Sequence, residues 1–198
     1  MDGLEGQTLA FAILSIDIVG STALASRLAP SDYLRLIVSF LHEFSAVVPL
    51  FHGHVLKYTG DGLIAYFPEP SFTQKNDLAV DCALTMRRLL HEAFNPEVEG
   101  ANLPPLSVRI GIDAGDAYVS MVGHVGTKSH ADVIGSVVNV ATKIQGVAPP
   151  GLIYLGDSAL RLLHTSWRQR TRPVALAESS LKLRRRDGSP YQLHELLS

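Results

Sequence analysis

The chain has 198 residues, 46% hydrophobic and 18% charged, which suits one globular domain (1–198) with a buried core and leaves too little for a second. A net charge of −2 and a pI near 6.4 provide no basic field for nucleic acid or an anionic membrane, so small molecules or protein are the expected partners. The single cysteine, Cys82, excludes an internal disulfide and a thiolate metal cluster. With no signal-type N-terminus and no apolar run expected to reach the length of a membrane span, the chain reads as cytoplasmic.

From Thr8 to Asp17 the apolar residues run almost without a break, the pattern of a strand covered on both faces. Asp17 closes that run. Gly20, Ser21 and Thr22 follow, and Ser or Thr is the expected cap of a short helix over Ala23 to Leu28, whose free N–H groups would suit phosphate. Ser31 is the expected cap of a long helix ending near Phe51, because Tyr33, Leu34, Ile37, Phe40, Leu41, Phe44, Val47 and Val48 share one stripe.

Val55 to Phe67 reads as a β-hairpin with Asp61 at its tip between Gly60 and Gly62. A hairpin acid on its own is a turn residue. A second amphipathic helix is expected from about Asp77 to Phe94, with a surface loop at Asn95 to Pro105 and a strand at Leu106 to Ala114. Gly115 to Asp132 is weakly patterned, with a ribbon near Tyr118 to Val122 and an arm holding Lys128, His130 and Asp132.

Ser136 to Val147 is helical again: Val137, Val140, Ala141, Ile144 and Ala148 lie on one side, Asn139 and Lys143 on the other. By themselves these two polar residues are the wet face of an amphipathic helix. A strand at Leu152 to Leu155, a short helix at Ser158 to His164 capped by Asp157, and short strands at Val174 to Leu176, Ser180 to Leu183 and Tyr191 to Leu196 complete the chain. The order β-α-β-β-α-β is that of an α+β, ferredoxin-like split βαβ core with additional C-terminal α/β elements.

In that arrangement the first strand and the hairpin are neighbours, which brings Asp17 and Asp61 together. Two carboxylates without His or Cys companions favour a hard cation such as magnesium, completed by substrate phosphates. Asn139 and Lys143 would then stabilise charge developing on a transferred phosphorus. The structural alternatives are a helix-capping role for Asp17 and edge protection for Lys57.

Four blocks carry a resemblance that covers most of the chain: LSIDIVGST at 14–22, KYTGDG at 57–62, VRIGIDAG at 108–115 and DVIGSVVNVATKI at 132–144. In them the chain resembles the catalytic domain of class III nucleotidyl cyclases, the adenylate and guanylate cyclases. The resemblance implies two Mg2+ or Mn2+ ions bound by Asp17, Asp61 and the backbone carbonyl of Ile18. It implies that Lys57 and Asp132 read adenine, where guanylate cyclases typically carry Glu and Cys, so ATP is the expected substrate and GTP the less favoured one.

Asn139 matches the residue that orients the ribose and the transition state, and Lys143 stands where the family usually has arginine. Read from the residues, the helix start at Gly20, Ser21 and Thr22 would suit the phosphates of a nucleotide triphosphate; the resemblance implies that Lys182, with Arg184, Arg185 or Arg186 as alternatives, is the lysine that meets the terminal phosphates. Asp113 replaces a common His, with no role attached. The family's sites form between two domains paired head to tail, so the resemblance implies a homodimer, either active as an adenylate cyclase or, because of Lys143, a weak or silent partner-regulating form.

Overall fold

The computed structural model describes residues 6, 8–68, 72–122, 130–175, 183–185 and 188–197, with the side chains of 72, 73, 121, 122, 130 and 131 excepted. In chain order the elements are β1 (Thr8–Ile18), α1 (Ser21–Arg27), α2 (Pro30–Val47), a 3-10 turn (Val48–Phe51), β2 (His54–Tyr58), β3 (Gly62–Phe67) and α3 (Phe72–Leu89). A π-helical turn (Leu90–Phe94) leads into α4 (Asn95–Gly100), and β4 (Val108–Val122), β5 (His130–Ile134) and α5 (Ser136–Val147) follow. The rest is β6 (Ile153–Gly156), α6 (Asp157–Arg161), α7 (Thr165–Arg168), β7 (Thr171–Val174) and β8 (Leu193–Leu196).

The sheet runs β2-β3-β1-β4-β6-β8-β7, with β5 paired to β4. Its first four strands have the ferredoxin-like order expected from the sequence, and β6, β8 and β7 extend it. Among the described residues only β4 and β6 pair in parallel. The central strand β1 alternates as a strand covered on both faces must: Ala12, Leu14, Ile16 and Ile18 enter the core beneath α2 and α3, whereas Phe11 and Ile13 enter the one beneath α5. Each fully buried Leu, Ile or Phe side chain among them contributes about 2 kcal/mol.

Phe40 and Phe44 of α2 stack with ring centroids 4.2 Å apart, and Phe94 meets them edge-on at 6.0 and 5.8 Å. This triad fastens α2 to the end of α3. By length and composition the 22 residues Pro30–Phe51 are apolar enough to cross a membrane, contrary to the expectation above. Here Leu36, Ile37, Phe40, Phe44 and Val47 are spent on the core instead.

Several expected boundaries move. Asn95–Gly100 is a helix, not a loop, because Pro96 falls in its first turn, where a missing N–H costs nothing. The expected side-chain caps are absent: Gly20 precedes α1, Ala29 precedes α2 and Gly156 precedes α6, none with a side-chain bond to the helix end. Gly20 takes φ +71°, a left-handed turn that aims β1 into α1 without a capping hydroxyl, so Ser21 and Thr22 become the first helical residues. Asp157 is drawn into ion pairs with Arg161 and Arg185.

The strand expected at Leu106 to Ala114 runs on to Val122, since β5 pairs with its second half from Tyr118↔Ile134 to Val122↔His130. In the tail, Arg184 and Pro190 form an isolated bridge around Gly188 at φ +83°. Lys128, the strand expected from Ser180, and Lys182, Arg186 and Asp187 lie outside the described residues in whole or in part.

Candidate active site

Asp17 is the penultimate residue of β1, paired with Gly62 on one side and Arg109 on the other. Gly62 opens β3 directly after Asp61, so the register itself sets the two acids side by side. The hairpin tip closes through Thr59 N–H donating to the Gly62 carbonyl at 2.9 Å, with Gly60 at φ +94°. Only glycine fits at 62: a Cβ there would lie 2.3 Å from the Ile16 carbonyl oxygen and 3.1 Å from Asp17 Cα.

Burial pushes the Asp17 carboxyl above its ordinary range, the neighbouring Asp61 adds to the rise, and Arg109 opposes it. Arg109 Nη2 lies 3.3 Å from Asp17 Oδ2, and its Nη1 donates to the Gly146 carbonyl at 3.2 Å. Gln145 Nε2 approaches the same Oδ2 at 3.5 Å. Two adjacent carboxylates under partial burial form an all-oxygen donor set, and among the described residues no third His, Cys, Asp or Glu joins them. That set fits magnesium or manganese, with a backbone carbonyl such as that of Ile18 and substrate oxygens completing it. The Ile18 side chain is buried in the core.

A second cluster forms where β2, β5 and α5 meet. Lys57 Nζ lies 3.9 Å from Asp132 Oδ2, and both line a cleft of about 370 Å³ with Val133, Gly135, Ser136 and Asn139. A bulge between Val55 and Lys57 places Lys57 opposite Ile64, on the α5 side of the sheet. Asp132 Oδ1 accepts the Val133 N–H at 2.9 Å, which fixes the carboxylate and leaves Oδ2 beside Lys57. Asn139 and Lys143 are exposed on the outer face of α5.

The structure therefore gathers Lys57, Asp132 and Asn139 in one cleft and Asp17 and Asp61 at the strand ends, and the two acids do not line that cleft. Lys182 lies outside the described residues, and Arg185 is held by Asp157 at 2.7 Å. Arg109 and Gln145 were not picked out by sequence reasoning. Gln145 had left a signal: it falls four residues after Ala141 on the apolar stripe of α5, where a buried amide requires a partner.

The adenylate and guanylate cyclase catalytic domain model matches residues 6–194. The chain belongs to that family. It is 28% identical over 156 residues to a cytidylate cyclase of Escherichia coli, covering 75% of this chain and 34% of that one. It is 31% identical over 144 residues to an adenylate cyclase of Anabaena cylindrica, covering 71% of this chain and 28% of the relative. The chain thus spans about a third of the length of these relatives. The guanylyl cyclase Cya2 has the same fold, with a TM-score of 0.82 at 23% identity over 97% of this chain and 93% of that one.

Proposed function

We propose that the chain is an adenylate cyclase domain that converts ATP to 3′,5′-cyclic AMP and pyrophosphate, working as a head-to-tail homodimer. The observation that carries this reading is the Lys57–Asp132 pair at 3.9 Å, one donor beside one fixed acceptor. Adenine offers the complementary pair, a ring nitrogen that accepts from Lys57 and an exocyclic amine that donates to Asp132 Oδ2. In the same pose guanine sets a ring N–H against Lys57 and a carbonyl oxygen against Asp132, the reverse of both groups, a mismatch that polar sites reject strongly.

In the reaction the ribose 3′ oxygen forms a bond to the α-phosphorus as the bond to the oxygen bridging the β-phosphate breaks, releasing pyrophosphate and the hydroxyl proton. Asn139 orients the ribose, Lys143 faces the charge that develops on the phosphorus, and Lys182 meets the terminal phosphates. Magnesium or manganese held by Asp17, Asp61 and the Ile18 carbonyl would polarise the attacking hydroxyl and neutralise the leaving group. In a two-fold pair, the acids of one chain would face the cleft of the other, giving two equivalent sites. The separation of the acids from the Lys57 cleft within one chain supports this arrangement.

The test is cyclic nucleotide formation by purified protein given ATP, GTP or CTP with Mg2+ or Mn2+, alongside Asp61→Ala. Cytosine also presents an exocyclic amine beside a ring acceptor, so CTP belongs in the assay. Cyclic AMP from wild type and none from the variant is the expected result. No product at concentrations where the dimer forms would overturn the reading. A second reading, a nucleotide-binding dimer that regulates a partner with little turnover of its own, draws on Lys143, whose single point charge replaces a planar fork.

A further inference from the structure

We infer that Gln145 is a positioning residue for Asp17, holding the acid's Oδ2 and tying it to the helix that carries Asn139 and Lys143. This rests on the proposed cyclase function, since it presumes a cation at Asp17 and Asp61.

Gln145 is only 5% exposed and sits on the stripe formed by Ala141, Ile144 and Ala148, a place where leucine or methionine would fill the space. A primary amide buried there gives up water and must be repaid by a hydrogen bond. Its Nε2 is directed at Asp17 Oδ2, the oxygen that Arg109 Nη2 also meets. Donors from two different elements on one oxygen restrict rotation of the carboxylate and leave Oδ1 to neither of them.

The two donors differ in kind. Arg109 brings a positive charge, which steadies Asp17 but weakens its attraction for a cation. Gln145 is neutral, so it orients the carboxylate without competing for the charge. At 3.5 Å its contact is long, at the outer limit of a hydrogen bond.

The backbone fixes where this amide can reach. A Cβ on Gly111 would meet Gln145 N at 2.3 Å, Gln145 Cα at 2.7 Å and the Ala141 carbonyl oxygen at 2.5 Å, so α5 rests directly on β4. Arg109, two residues before Gly111, donates to the Gly146 carbonyl in the last turn of the same helix. The C-terminal turn of α5 is therefore fastened to the acid. Asn139 lies six residues earlier on α5, about 9 Å along the axis.

The experiment titrates Mn2+ alone into wild type, Asp61→Ala, Gln145→Leu and Gln145→Met, reading free Mn2+ by electron paramagnetic resonance, with thermal unfolding of each protein alongside. Both Gln145 variants keep the volume of the stripe and remove the donor. Residues that orient a metal ligand typically change affinity by about 10- to 100-fold when replaced. Mn2+ affinity about 10-fold weaker in folded Gln145→Leu and Gln145→Met is the expected result. Wild-type affinity in both, with binding lost in Asp61→Ala, overturns this inference alone. Wild type that binds no Mn2+ removes the metal site and the inference with it.

Discussion

The hydroxyl of Tyr191 lies 2.9 and 2.8 Å from the two carboxylate oxygens of Asp113, and 2.8 Å from Ser158 Oγ. The Ala159 N–H donates to the same carboxylate at 3.3 Å, and a Cβ on Gly156 would lie 2.4 Å from its Oδ1. Asp113 sits on β4, Ser158 and Ala159 in α6, and Tyr191 just before β8, so one buried acid joins the core sheet to the C-terminal extension. Nothing in the sequence pattern connects these residues.

Burial pushes the Asp113 carboxyl up from 3.8 to about 6, with Tyr191 and the backbone N–H groups of Ala114 and Ala159 pulling it down and Asp157 pushing it up. An acid whose folded-state value is raised contributes stability fully below the unfolded value and loses it as pH rises through the folded value. From pH 4 to pH 7 this group should therefore remove about 2 kcal/mol of stability. Because Tyr191 favours the ionised form, Tyr191→Phe should cost about 1–3 kcal/mol at pH 8 and clearly less at pH 5, measured by urea unfolding at both pH values. An equal cost at the two would show that the hydroxyl does not serve the charge.

Gly62→Ala should separate the two acids without replacing either. The added Cβ meets backbone, the Ile16 carbonyl oxygen at 2.3 Å, which cannot swing aside as a flexible side chain would. Relief requires the hairpin tip to move away from β1, at a cost of about 1–3 kcal/mol. Product formation should fall at least 10-fold while circular dichroism still reports a folded chain. Full activity in the variant would show that the register does not set the acids' spacing.

Lys143→Arg tests whether the site is weakened by its departure from the family pattern. A guanidinium presents a planar fork to phosphate oxygens, and a preorganised donor at a phosphoryl-transfer site is worth on the order of 100-fold in rate. Turnover should rise about 10- to 100-fold with little change in the KM for ATP, because the contact forms in the transition state. A change confined to KM would place Lys143 on the bound nucleotide and not on the reacting phosphorus.

What the sequence disclosed and withheld follows from the range of the forces involved. Periodicity located β1, the hairpin, α2, α3 and α5, because burial of an apolar face is written into local order. The placing of Asp17 beside Asp61 followed once strand order was inferred, since register does the rest. The missed partners of Asp17 come from 92 and 128 residues away, Arg109 and Gln145, and a pairing over that distance leaves no periodic trace. The expected caps failed for the opposite reason: Ser21 and Ser31 have the right chemistry, but the backbone at Gly20 and Ala29 had already turned the chain into each helix.

The two acids are not equally free to move. Asp17 belongs to a strand bonded on both sides in the middle of the sheet, so its amide should exchange hydrogen only as slowly as the sheet opens. Asp61 belongs to the tip of a hairpin whose other arm, β2, is the border strand of the sheet. One carboxylate is an anvil and the other rides on a part that can be pushed from outside. On the proposed cation site, a protein or domain bound along the outer edge of β2 would move Asp61 and leave Asp17 in place.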